Sequence, residues 1–214
     1  MRIRKLLFAA LLLCLTVSAS AATVTYDVTI NTSSVAGTAG SLDFNFSPGP
    51  YQTQASSLQI LGFSSDGFLA SSPELTGDVS GALPSTVTFD NGTGYNDYFE
   101  GFTYGSTLSF DVSLYGSALS SPNGVSTSGS TFAFSMYSDA AGTIPVLTSD
   151  TTDGFAFTVN VNLDGSTTAT NYSDQTNVES PSSAVPEPNN LLLVATGLTI
   201  LGVMSWQWRP LMGK

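Results

Sequence analysis

YNDYFEGFTYGSTLSFDVSL, residues 95–114, decides the fold class. In its second half Leu108, Phe110, Val112 and Leu114 alternate with Ser109, Asp111 and Ser113. A period of two places the large apolar side chains on one face and the polar ones on the other, as a half-buried antiparallel strand requires. The same alternation runs through Val24, Tyr26, Val28 and Ile30, through Leu42, Phe44 and Phe46, and through Phe132, Phe134 and Met136. It returns in Phe155, Phe157, Val159 and Val161. Between these runs stand turn residues: Ser47-Pro48-Gly49-Pro50, Asp66-Gly67, Asn91-Gly92, Pro122-Asn123-Gly124, Asp153-Gly154 and Asp164-Gly165. No convincing helical period occurs before residue 190. We therefore expect an all-β chain folded as an antiparallel, jelly-roll-like β-sandwich of roughly eight to ten strands. It should occupy residues 22–172, with the thirteen Phe supplying most of its core.

The two ends have a different composition. Arg2, Arg4 and Lys5 precede an apolar run from Leu6 to Val17, and Ala19-Ser20-Ala21 forms a small-residue cleavage site. This order predicts a signal peptide over 1–21, cut by signal peptidase between Ala21 and Ala22. Cys14, the sole cysteine, falls inside it, so the exported chain has no disulfide. From Ser173 to Ala184 a polar stretch, with Ser173-Asp174-Gln175-Thr176-Asn177 followed by Ser180-Pro181-Ser182-Ser183, reads as a flexible linker. Beyond it an apolar run from Leu191 to Trp206 is bounded by Trp206, Trp208, Arg209 and Lys214. Interfacial tryptophans and a basic end predict one C-terminal transmembrane helix, with the acidic domain outside the cytoplasm.

Charge is segregated as sharply as hydropathy. The five Lys and Arg are Arg2, Arg4, Lys5, Arg209 and Lys214, all sixteen Asp and Glu lie between Asp27 and Glu187, and His is absent. The exported part thus has no cation and cannot form an internal salt bridge. Nucleic acid is a poor partner, because binding phosphates requires Lys and Arg to displace counterions. Without His, Cys or Lys there is no Ser–His dyad, thiolate, Schiff base or histidine-ligated zinc. Glycoside hydrolysis needs only two carboxyl groups. Asp97 and Glu100, among the aromatics of residues 95–102, are the pair to test, against a plain reading as solvated acids beside core rings. The expectation is that the chain is not an enzyme. Tyr95, Tyr98 and Tyr104 are candidates for stacking a sugar ring, as in carbohydrate-binding modules. Asp90, Asp150 and Asp153 are candidate calcium ligands in loops that lack EF-hand spacing. No cofactor other than calcium is expected.

Pro186-Glu187-Pro188, the apolar run 191–206 and Arg209 together resemble the PEP-CTERM family of sorting signals, here over residues 185–214. The resemblance implies recognition and cleavage by an exosortase, a membrane-embedded cysteine protease of Gram-negative bacteria that make exopolysaccharide. The stretches VTINTSSVAGTAGSLDFNFSPGP, LTGDVSGALPSTVTFDN and YNDYFEGFTYGSTLSFDVSL also resemble one group of PEP-CTERM proteins. The implied protein belongs to the outer surface or extracellular matrix and is held transiently in the inner membrane. Exopolysaccharide is its candidate ligand.

Overall fold

A computed structural model describes residues 23–179. The expected signal peptide, its Ala21–Ala22 cleavage site, the Pro186-Glu187-Pro188 motif, the 191–206 run and Arg209 all lie outside the described residues. Among those described, no helix is long and apolar enough to cross a membrane.

Two antiparallel sheets make up the domain. The first carries, in spatial order, β13 (Thr176–Glu179), β1 (Val24–Asn31), β9 (Thr107–Tyr115), β3 (Ser57–Ser65), β7 (Val87–Asp90) and β6 (Val79–Gly81). The second carries β12 (Thr167–Asn171), β11 (Phe155–Val161), β10 (Ser130–Tyr137), β2 (Ala39–Pro48), β8 (Asp97–Thr103) and β4 (Phe68–Leu69), with β5 (Glu74–Thr76) also on β8. Among the described residues the one α-helix, α1 (Ser117–Ser120), is a single turn that seals an end of the core with Ala118 and Leu119.

Alternation explains which face each strand buries. Tyr26, Val28 and Ile30 point inward from β1, while Asp27, Thr29 and Asn31 point out. Leu108, Phe110, Val112 and Leu114 do the same from β9, directly beside β1. The sheets meet where Phe110 of the first inserts among Phe44, Phe134 and Phe157 of the second. Ring centroids there lie 5.2, 5.1 and 6.2 Å apart. At ~1.5–3 kcal/mol for each fully buried large apolar side chain, this aromatic centre contributes strongly to stability.

β10 departs from simple alternation. Ala133 and Ser135, on its outward side, are buried as well. The segment after β10 folds back over that face: Ser138 N–H donates to the Ile144 carbonyl at 2.9 Å, and Val146 N–H to the Met136 carbonyl at 2.8 Å. Asp139 locks the turn by accepting from Thr143 N–H and Ile144 N–H, both at 2.9 Å. Gly142, at φ +67°, lies so close to the Phe99 ring that a Cβ there would approach to 2.8 Å. This close approach and positive φ suit glycine alone.

Two expectations need correction. The domain does not end at residue 172, nor does a flexible linker start at Ser173. Residues 176–179 form β13, with Val178 opposite Val28 and Thr176 opposite Ile30. An edge strand needs backbone pairing more than apolar bulk, so its polar composition reads as a linker. Among the described residues the strand count is also thirteen rather than eight to ten. The excess comes from two- and three-residue pieces, β4, β5 and β6, too short to show a period.

Candidate functional site

The carboxylate pair suggested by the sequence is divided by its own strand. β8 turns Tyr98, Glu100 and Phe102 toward the core, and Asp97, Phe99 and Gly101 toward the other face. Asp97 and Glu100 therefore lie on opposite sides of the second sheet and cannot flank one glycosidic bond. Neither is solvated: Asp97 is 8 % exposed and Glu100 is 2 % exposed.

Inside, Glu100 accepts a short hydrogen bond at Oε2 from the Tyr98 hydroxyl, whose oxygen in turn accepts from Leu83 N–H at 3.0 Å. Burial pushes the Glu100 carboxyl up from its ordinary value, and the bond from Tyr98 offsets this in part. Burial likewise pushes the Tyr98 phenol up, with Glu100 as the next cause. Tyr98 is thus a core residue and not a sugar platform. Tyr104 is another, 2 % exposed, with its hydroxyl shared between the Ser41 and Tyr137 carbonyls at 2.9 and 3.0 Å. Its ring meets Phe102 edge-on at 5.2 Å. Of the three tyrosine candidates only Tyr95 is open, at 54 % exposed.

Outside, Asp97 meets an acid that sequence reading did not single out. Asn45 of β2 lies opposite Asp97, and Asp43 lies opposite Phe99. Asp43 is therefore the diagonal neighbour of Asp97 on one face, close enough for their carboxyl groups to hydrogen-bond. Burial, then the contact with Asp97, pushes Asp43 up to about 9. Oδ1 of each is buried without a hydrogen-bond partner. Tyr95 lies beside Asn45 and Asp97; burial, then the charges of Asp97 and Asp43, pushes its phenol up to about 12. On β10, burial first, and then the nearby Asp43, Asp97 and Asp139, push the Tyr137 phenol up. The only sequence signal for this pairing was an Asp at position 43, between inward Leu42 and Phe44. Cross-strand register supplied the rest.

The calcium candidates are occupied locally. Asp150 accepts from Thr152 N–H at 3.0 Å and from Asp153 N–H and Phe155 N–H at 3.2 Å, which together hold its carboxyl below the usual range. Asp153 is exposed beside it. Asp90 accepts a short hydrogen bond from Ser57 Oγ at the end of β7. Among the described residues no three His, Cys, Asp or Glu side chains gather as a metal-holding group.

A shallow cleft of about 240 Å³ opens at the β12–β13 corner, between Leu147-Thr148-Ser149 and Tyr172-Ser173-Asp174-Gln175. Leu147 has φ +57°, an uncommon conformation for a side chain of its size. Ser149 fixes the two walls by donating from N–H and Oγ to the Tyr172 carbonyl, both at 2.7 Å.

No curated protein and no solved structure matches the chain. Residues 52–197 match the family model described as the glycosyl hydrolase family 49 N-terminal Ig-like domain. That description names an Ig-like module, in agreement with two packed antiparallel sheets. With more than half of its length matched, the chain belongs to the glycosyl hydrolase family 49 N-terminal Ig-like domain family.

Proposed function

We propose that the chain is a non-enzymatic, exported protein of the bacterial surface or extracellular matrix, delivered through its C-terminal Pro186-Glu187-Pro188 segment. The observation that carries the non-enzymatic reading is the placement of Asp97 and Glu100 on opposite faces of β8. It removes the one hydrolytic pair that the sequence offered in a domain without His, Cys or Lys. Signal peptidase would cut before Ala22. The 191–206 run would hold the chain in the inner membrane until an exosortase-type enzyme acts near residues 185–188. The intact mass of the protein from cells and medium tests this, alongside Glu187→Ala. Wild type should start near Ala22 and lack the tail, while the variant keeps it and stays with the membrane. Equal masses and equal fractionation would refute the sorting reading.

A second reading, a carbohydrate-binding module for exopolysaccharide, has its own support. The family description ties the domain to glycosyl hydrolases, and the cleft offers Tyr172 beside Asp174 and Gln175. An aromatic face with carboxylate and amide groups at its rim is the usual chemistry for a sugar ring. Retention of the protein on the host's own exopolysaccharide, lost in Tyr172→Ala, would favour this reading over a purely structural role.

A further inference from the structure

We propose that Asp43 and Asp97, with the side-chain oxygens of Asn45 and Tyr95, form a divalent-cation site of calcium type on the outer face of the second sheet. The site is separate from the surface loops of Asp90 and Asp150–Asp153, and it does not depend on the sorting or sugar-binding readings.

Three observations lead to it. Asp97 is more than nine-tenths buried, and its Oδ1 has no hydrogen-bond partner although it faces Asp43, whose Oδ1 is likewise buried and unpartnered. A buried carboxylate without a partner costs several kcal/mol, and a second one beside it adds repulsion. Residues 23–179 contain no Lys, Arg or His, so no side chain of the domain can neutralise the pair. The compensating positive charge must come from solution, as a proton or as a metal ion. A single shared proton satisfies one oxygen of each acid and leaves one negative charge buried. A divalent ion neutralises both carboxylates and uses both orphaned oxygens. Finally, the surrounding donors are all hard oxygens. The Asn45 amide lies directly opposite Asp97 in the register, and the half-exposed Tyr95 lies at the mouth. Oxygen-only donors in a face closed by a loop favour calcium over zinc or copper.

The proton and the ion compete for the same place. Asp43 on β2 and Asp97 on β8 face each other, Tyr95 and Tyr137 flank them, Asp139 lies in the covering loop, and exposed Glu74 on β5 shares the face. An ion that binds both carboxylates must displace any proton they share. Apparent affinity therefore rises with pH, by up to about tenfold per unit. Few protein ligands and one rigid wall place the dissociation constant near 10⁻⁴–10⁻³ M, on the order found for extracellular modules.

The probe is terbium(III) added to the full chain, read as emission sensitised by tyrosine and displaced by calcium. We expect emission that calcium quenches more effectively than magnesium, that is lost in Asp43→Asn and in Asp97→Asn, and that persists in Asp90→Asn and Asp150→Asn. Wild type alone should show tighter calcium competition as pH rises from about 6 to 8. The site is refuted if emission is absent in wild type, which leaves a shared proton only. Equal emission in both Asn variants refutes it too, as does an affinity indifferent to pH. The wild-type pH series does not require either variant to fold.

Discussion

Glu100 and Asp97 are three residues apart on β8, both buried and both acidic, yet the sheet gives them opposite situations. Glu100 faces the core and meets the hydroxyl of Tyr98, a neutral donor held in place by Leu83 N–H. Protonation leaves it neutral in an apolar setting, with its partner already inside the protein. Asp97 faces the outer layer and meets Asp43, an acceptor like itself. What a buried acid needs is therefore decided by the group it faces and not by depth alone. A neutral donor makes it a core residue; a second acid leaves it dependent on a proton or an ion from solution.

The largest effect should come from breaking the inner arrangement. Tyr98→Ala removes a fully buried ring and strands both Glu100 and Leu83 N–H, and should cost about 3–5 kcal/mol. Tyr98→Phe keeps the ring and should cost about 1–3 kcal/mol for the unpaired groups alone. Chemical denaturation measures both. If the two variants were equally destabilised, the hydroxyl and not the packing would dominate the inner site.

The pH profile comes next. Asp43 and Glu100 have folded-state pKa values raised above their unfolded values. Their contribution is fully present below the unfolded values and is lost as pH rises, for Asp43 until about 9. Within that window each such group removes up to about 1.4 kcal/mol per pH unit. Asp66, Asp139, Asp150 and Asp164 shift the other way, held low by turn hydroxyls and backbone N–H groups. Their contribution is present above the unfolded value and is lost as pH falls through the folded ones. The melting temperature of the full chain in metal-free buffer should therefore rise from pH ~9 toward ~5 and fall again below ~4. A flat alkaline limb would mean that neither buried acid is held protonated.

A smaller effect of opposite sign distinguishes the outer site. In chelator-treated buffer Asp97→Asn should leave stability unchanged or raise it by up to about 1 kcal/mol, because it removes the buried negative charge that the pair otherwise carries. It should also flatten the alkaline limb of the melting profile. Destabilisation as large as that of Tyr98→Ala would show Asp97 to be a structural partner in its own right. Least of all, Asp153→Asn, on an exposed turn whose carboxylate work is done by Asp150, should stay within about 0.5 kcal/mol of wild type.

The long strands were legible because their signal is local. Phe110, Phe134 and Phe157 each sit in a period-two run, and each is buried as that run predicts. β13 was not legible, since Thr176–Glu179 is held by backbone pairing to β1 across most of the chain. The sugar candidates divide on the same ground. Tyr98 and Tyr104 are in the core and Tyr95 is open, although all three stand among similar neighbours in sequence.

From the sequence alone came the all-β class, the inward face of each long strand, the absence of any cation between residues 23 and 179, and with it the loss of most catalytic chemistry. These are properties of composition and short-range period, carried by residues a few positions apart. Tertiary structure decided which acids meet. Asp43 and Asp97 are joined only by the β2–β8 register. Asp27 and Asp111 likewise face each other only through β1 and β9. Asp97 and Glu100, near neighbours in sequence, are kept apart by the pleat between them. Pairing register and sheet face act over long separations in the chain and follow from how all the strands pack together, so no local pattern encodes them.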